Sequence, residues 1–185
     1  MSGVREADDV RAAATADLAP DELAAIRSLL DRAFDGDFAD TDFSHCRGGL
    51  HLLVVDDGRP VAHASVVPRR LSADGRFWRT GYVEAVAVDP AHRGRGHAAA
   101  VMHRAERHIV EAYELGALSA ADGVEGFYQA RGWQAWRGHT AVRGPVGTLR
   151  TPEDDGGVFV LPVSGLVAPD PTGTLACDWR DGDVW

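Results

Sequence analysis

Several common protein classes are excluded by what this 185-residue chain lacks. Its two cysteines, Cys46 and Cys177, fall in no C-x-x-C or zinc-like spacing. That predicts two inert thiols in a reducing, cytoplasmic setting rather than a disulfide framework. The opening MSGVREADDV has neither a basic nor an apolar leader region, so no secretory signal is expected. No apolar run approaches the ~18 residues that span a bilayer, and no membrane partner is expected. Basic residues are the minority, 19 against 28 acidic for a net charge of −9. This balance argues against non-specific nucleic-acid binding and mildly favours cationic partners. The eight histidines form no H-E-x-x-H or similar set, so no metal is predicted and most read as surface or strand residues. Internal repeats, low-complexity blocks and a linker are also missing. One domain over residues 1–185 is the expectation, long enough to bury about 70% of the surface its unfolded form exposes.

What is present is a regular succession of elements. PDELAAIRSLLDRAF (20–34) predicts an amphipathic helix, with Leu23, Ile26, Leu30 and Phe34 on one face and Gly36 as its stop. Two hairpins are predicted, turning at Asp57-Gly58 and at Ala73-Asp74-Gly75. The second leads into a run apolar on both faces from Val83 to Val88, the pattern of a central strand. A helix over about 97–113 follows, with Val101, Ala105, Ile109 and Ala112 on its buried side. LGALSA reads as a short strand, and DGVEGFYQARG as a short helix with Asp122 and Glu125 as a capping pair and Gly132 at its end. VFVLPV is the clearest of the later strands. The order implies an α/β (α+β) fold with a mixed sheet. Acidic DFADTDF and TPEDDGG read most simply as solvated loops.

VAVDPAHRGRGHAAAV is the most informative stretch. A turn containing Gly94 and Gly96 that feeds a helix presents backbone N–H groups at the positive end of the helix dipole, which suits phosphate oxygens, and Arg93 and Arg95 add charge. An isolated G-x-G is also compatible with a structural turn. A Rossmann site fits poorly, because Glu114 falls before the next strand rather than at its end. A Walker A loop is excluded, since no G-K-S/T follows. The third reading starts from Arg93, Gly96 and Ala98. They match R/Q-x-x-G-x-G/A, and the loop resembles the acyl-CoA loop of the GNAT acetyltransferase superfamily. FYQARGW resembles the tyrosine-bearing helix that follows later in that superfamily.

Further stretches are similar to a narrower family, the actinobacterial aminoglycoside 2′-N-acetyltransferases: AFDGDF, GYVEAVAV, LGALS, YQARGWQAW, RTPEDDGGVFVLP and CDWRDGDVW. The resemblance implies a GNAT fold, a mostly antiparallel sheet flanked by helices, and a homodimer. It implies that acetyl-CoA is held by backbone groups of Val86 and Val88 and by the amides of Arg93, Gly94, Arg95, Gly96, His97 and Ala98. It further implies that Asp37, Asp42, Glu84, Ser119 (through its backbone), Asp154, Asp183 and the Trp185 carboxylate surround an aminoglycoside, the tail 170–185 completing that site. A polycationic sugar calls for carboxylates, so the residue chemistry is compatible.

The implied mechanism is direct transfer in a ternary complex. Glu84 accepts a proton through water, the Val86 N–H steadies the oxyanion, and Tyr128 is general acid to the departing thiolate. Each role has a structural counterpart: Glu84 as a rim carboxylate or one satisfied by a neighbouring arginine, Tyr128 as a packed aromatic, and the terminal tryptophan as an anchor for the tail. AADGVEG, before Phe127, departs from the family by lacking basic residues. Two other functions stay open from sequence, a GNAT enzyme acting on a native amine (polyamine, amino sugar or protein N-terminus) and a non-catalytic acyl-CoA or aminoglycoside-binding module.

Overall fold

The chain reverses at acid–glycine pairs. In the computed structural model, which describes residues 10–185, Asp57 and Gly58 have φ 47° and 73°, and Asp74 and Gly75 have φ 54° and 73°. Consecutive left-handed residues give the tight turns whose twist matches flanking antiparallel strands. They join β2 (Leu50–Asp56) to β3 (Arg59–Ala73), and β3 to β4 (Arg76–Val88). Both predicted hairpins are therefore present.

The fold divides into two compact units, each made of two chain segments. One comprises the described residues up to Val67 together with Val83–His108, the other Pro68–Tyr82 with Ile109–Trp185. In the first, β1 (Arg11–Ala14) pairs antiparallel with β2, and β2 with β3, in the register Leu50↔Val66 to Leu53↔His63. Helix α1 (Pro20–Ala33) starts where predicted, with Pro20 in its first turn, and Gly36 at φ 82° donates back to Asp31 O to end it. On the predicted face Ile26 and Leu30 are buried and Leu23 and Phe34 half-buried, and Leu29, outside that set, is buried as well. DFADTDF is a loop only over residues 37–39: Asp40–His45 is a helix, α2, which Asp42 Oδ2 caps by accepting from the Ala39 N–H at 3.1 Å. Phe34, Phe38 and Phe43 from the α1–α2 corner pack with Ala85 and Ala87 of β4. Arg27 holds that corner, bonding Asp31 and Asp40 and lying over the rings of Phe38 and Phe43.

Helix α3 (His97–Ala112) buries Val101, Met102, Ala105 and Ile109, but Ala112, expected on that side, is exposed in the last turn. In the second unit the strand order is β6-β9-β5-β4-β3-β10-β7-β8. The new strands are β5 (Leu115–Ser119), β6 (Gln134–Ala135), β7 (His139–Gly144), β8 (Gly147–Arg150), β9 (Val158–Pro162) and β10 (Thr174–Asp178). Only β4·β5 and β7·β10 among the recorded pairs are parallel, so the sheet is mixed and mostly antiparallel. Leu115, Ala117, Trp133, Trp136 and Phe159 fill its core. The short helix α4 (Glu125–Gln129) is capped differently from the expectation. Its N-cap is Val124, and Glu125 reaches back to the Gly123 N–H at 3.1 Å, so Asp122 lies before the helix rather than at its cap. Gly132, at φ 92°, ends the segment as predicted.

Candidate functional site

In the first unit the notable feature is a left-handed residue inside β4, which makes a bulge there. Ala85 has φ 49°, a left-handed conformation that costs a non-glycine residue roughly 1–2 kcal/mol. The other left-handed non-glycine residues, Asp35, Asp57 and Asp74, lie in turns, whereas Ala85 lies inside a strand. Such a residue turns neighbouring carbonyls away from the ladder, and side chains of β3 supply the donors: His63 Nδ1 is 2.8 Å from Ala85 O, and Ser65 Oγ is 3.5 Å from Glu84 O. The central strand expected from Val83 to Val88 is present as the end of β4, with the left-handed residue inside it. Val83 and Ala87 are buried, while Glu84, Ala85, Val86 and Val88 are half-buried.

Beyond Val88, the carboxylate of Asp89 accepts from the Ala91 N–H and from Arg32 Nε, each at 3.0 Å, which fixes the start of the loop. Gly94 and Gly96 have φ 76° and 81°, and a Cβ on either would meet no atom within 4 Å. Glycine is required there by backbone conformation, on a surface left open to a ligand. The first intrahelical bond runs from Ala100 N–H to Gly96 O at 3.0 Å, so the amides of residues 97–99 form the first turn at the positive end of a 16-residue helix. Arg93 donates to Ala33 O at 3.0 Å and Arg95 to Ala91 O at 3.3 Å, and both side chains stay exposed. His97 is buried and Ala98 half-buried. Open glycines, first-turn amides and two arginines fit a pyrophosphate-bearing group. In the same unit Asp37 is exposed after α1, and the half-buried Asp42 caps α2.

The second unit holds Tyr128, Ser119 and the tail. Tyr128 is 7% exposed, edge-on to Phe127 and Trp133 with centroids at 5.2 and 6.3 Å. Burial raises its phenol above the usual value, so it stays protonated at neutral pH. Ser119 ends β5, exposed, opposite Val158. The tail borders a concavity of about 480 Å³ lined by Val142, Leu149, Arg150, Thr151, Glu153, Asp154, Trp179, Gly182, Asp183 and Val184. Burial, opposed by a hydrogen bond from Thr151, raises the Asp154 carboxyl, and the charges of Asp183, Glu153 and Asp155 push it further. A cation placed there relieves that repulsion. Asp155 is a structural carboxylate, held below the usual range because it accepts from the Thr140 N–H at 2.7 Å and the Thr140 hydroxyl at 2.8 Å.

The terminal tryptophan is an anchor. Trp185 is 3% exposed, its indole N–H donating to Thr151 Oγ1 at 3.0 Å and its backbone N–H to Asp183 Oδ1 at 3.1 Å. Its main-chain oxygen accepts from Arg180 at 2.8 Å, which compensates the charge that the sequence reading assigned to a substrate. Cys177, its thiol pushed up to about 11 chiefly by burial, points at Val184 O at 3.3 Å. The structure thus groups Asp154 with Asp183 around the concavity, and Glu84, Val86 and Val88 on the segment entering the glycine loop. Sequence reasoning missed Glu153 and the half-exposed Trp179, although both lie in the stretches TPEDDGG and CDWRDGDVW. It also missed His51 and His63, both fully buried.

Residues 15–136 match the model of the acetyltransferase (GNAT) domain. The chain belongs to the GNAT acetyltransferase family. An aminoglycoside 2′-N-acetyltransferase of Mycolicibacterium fortuitum is 50% identical over 174 residues, 92% of this chain and 89% of that protein. Two solved GNAT structures share the fold. YhbS of Escherichia coli, in complex with CoA, has a TM-score of 0.63 at 19% identity, covering 91% of this chain and 88% of its own. An acetyltransferase from Brucella melitensis, in complex with acetyl-CoA, has a TM-score of 0.60 at 16% identity, covering 93% and 96%. Among the described residues no group of three or more His, Cys, Asp or Glu could hold a metal ion, and no helix is long and apolar enough to cross a membrane.

Proposed function

We propose that this GNAT protein is an acetyl-CoA-dependent N-acetyltransferase acting on the 2′-amino group of aminoglycosides. The observation that carries the reading is the 50% identity along nearly the whole chain to a relative of that activity. The acidic concavity beside the tail supports it, because Glu153, Asp154 and Asp183 suit a polycationic sugar and Trp179 offers an apolar face for a ring.

The loop amides from Arg93 to Ala98 hold the pyrophosphate, and the backbones of Val86 and Val88 hold the pantetheine arm. When bound, acetyl-CoA supplies the acetyl group as a thioester. The substrate amine forms the new C–N bond as the C–S bond breaks. Glu84 takes the amine's proton through a water, the Val86 N–H donates to the carbonyl oxygen on which charge builds, and Tyr128 gives its proton to the departing sulfur. Asp37, Asp42, Ser119 and Trp185 complete the amine site in this reading, with Trp185 acting by fixing Asp183. Two free, buried cysteines fit a reducing, cytoplasmic setting. The homodimer is checked by sedimentation.

A thiol-release assay tests the function with two aminoglycosides that differ only in a 2′-amine or a 2′-hydroxyl. Thiol release is expected with the amine alone. Equal release with both moves the acetylated position elsewhere, and a much higher kcat/KM for a cellular polyamine makes aminoglycoside turnover incidental.

A further inference from the structure

Behind the β4 bulge lies a chain of hydrogen bonds that the reaction outlined above does not use. His63 on β3 and His51 on β2 are both fully buried, with His51 Nδ1 3.0 Å from His63 Nε2. Beyond them, Thr15 Oγ1 is 2.8 Å from His51 Nε2 and accepts from the Gly48 N–H at 2.9 Å. At the inner end His63 Nδ1 meets Ala85 O at 2.8 Å.

For two neutral rings the chemistry of these atoms allows one direction only. A carbonyl oxygen cannot donate, so His63 carries its proton on Nδ1 and leaves Nε2 as acceptor. His51 must then donate from Nδ1, which makes its own Nε2 an acceptor for the Thr15 hydroxyl. Gly49 O, the competing acceptor for that hydroxyl, lies farther away at 3.3 Å and already receives the Thr15 N–H at 3.0 Å. Full burial of both rings disfavours an imidazolium at either, and for two neutral rings this is the one arrangement in which every contact pairs a donor with an acceptor.

Two satisfied core histidines would explain the buried pair, but not where the chain ends. It ends on the carbonyl of the left-handed residue inside a strand, between Glu84 and Val86. Strain at a non-glycine residue persists only when its surroundings over-determine it, and the packing of Ala85 against the α1–α2 corner does not supply a donor for its carbonyl. We propose that Thr15, His51 and His63 form a one-directional hydrogen-bond chain that positions the β4 bulge, holding the Ala85 carbonyl so that the Val86 backbone is presented to the acyl donor. The last part of this statement rests on the acyl-CoA reading of Val86. His63 is a positioning residue, since it acts through the backbone and not on the substrate.

Nitrogen NMR of the imidazoles at pH 6 tests the chain itself. Both rings are expected neutral with the proton on Nδ1, and an Nε2–H tautomer on either overturns the proposal. The functional part is tested with His63→Leu, which removes the donor, and His63→Asn, whose amide nitrogen overlays Nδ1. Calorimetry is expected to show acetyl-CoA affinity weakened about tenfold in the first, the loss of one buried hydrogen bond, and recovered to within about threefold in the second. Aminoglycoside affinity is expected to stay unchanged in both. Wild-type acetyl-CoA binding and turnover in a folded His63→Leu protein overturns the proposal. So does equal impairment of both variants, which would mark side-chain volume rather than the donor. Should His63→Leu fail to fold, Thr15→Val decides, with a smaller loss in the same direction expected and unchanged affinity refuting. A wild-type protein without acetyl-CoA affinity overturns the acyl-CoA reading of Val86 instead, and the presentation role with it.

Discussion

Lowering the pH from 7.5 to 5.0 should destabilise this protein through its two buried histidines. Imidazoles ordinarily ionise near 6.5, but burial pushes His63 down to about 3, helped by His51 and opposed by its bond to Ala85 O. Burial, with the charge of Arg47, pushes His51 down to about 4. Between 6.5 and those values the unfolded chain binds protons that the folded state refuses. Stability therefore rises with pH across this window, is fully present above 6.5, and is lost as pH falls toward the folded values. At pH 5.0 both rings are still neutral in the fold, so the full one and a half pH units below 6.5 count for each. At ~1.4 kcal/mol per unit this comes to ~2 kcal/mol per ring and ~4 kcal/mol for the pair, a large share of a domain's usual 5–15 kcal/mol. The carboxylates held low by hydrogen bonds, those of Asp89, Asp155 and Asp170, are lost only at lower pH, and the raised Asp154 opposes the trend slightly. Urea titrations at the two pH values measure the difference. Equal unfolding free energies at pH 7.5 and 5.0 would refute a buried neutral pair.

Three further outcomes are expected. Asp154→Asn should raise the aminoglycoside KM about 10- to 100-fold, the worth of a hydrogen bond to a charged group, with acetyl-CoA KM unmoved; steady-state kinetics in which both KM values rise together would contradict the assignment of the concavity. Tyr128→Phe should lower kcat by about 10²-fold or more where chemistry limits turnover, with acetyl-CoA affinity retained, and unchanged turnover removes the phenol as the acid. Trp185→Phe keeps the ring but strips the donor from buried Thr151, so urea unfolding should show a loss of about 1–2 kcal/mol with little change in aminoglycoside KM. A large KM change at constant stability would give the indole a direct role.

Most of the fold was legible because its signals are local. Apolar spacing defines α1 and most of α3, and the Asp-Gly pairs define two hairpins, since each depends on backbone preferences that a few residues carry. Where two devices compete for the same residues, the reading failed. Helix α2 was missed because its cap comes from Asp42, a side chain inside the helix, while the flanking acids resemble a solvated loop. In α4, Glu125 reaches Gly123 and not the backbone of Asp122, and only the path of the turn decides between them.

The site divides along the same line. The glycine loop is legible because left-handed glycines before an amphipathic helix have a sequence signature. The β4 bulge has none, because alanine rarely adopts φ 49° and nothing near Ala85 in sequence announces it. Its supports lie 22 and 34 residues upstream at His63 and His51, and each looked like an ordinary strand residue. Charge, too, was misjudged by counting. The tail contributes a carboxylate at Asp183, but Arg180 binds the main-chain oxygens of both Asp183 and Trp185, so the negative potential of the concavity centres on Asp154 and its acidic neighbours. This predicts an order among substitutions: neutralising Asp154 should weaken aminoglycoside binding more than Asp183→Asn, which keeps the acceptor for the Trp185 N–H and so leaves the tail in place. A larger loss at Asp183 would return the charge to the tail.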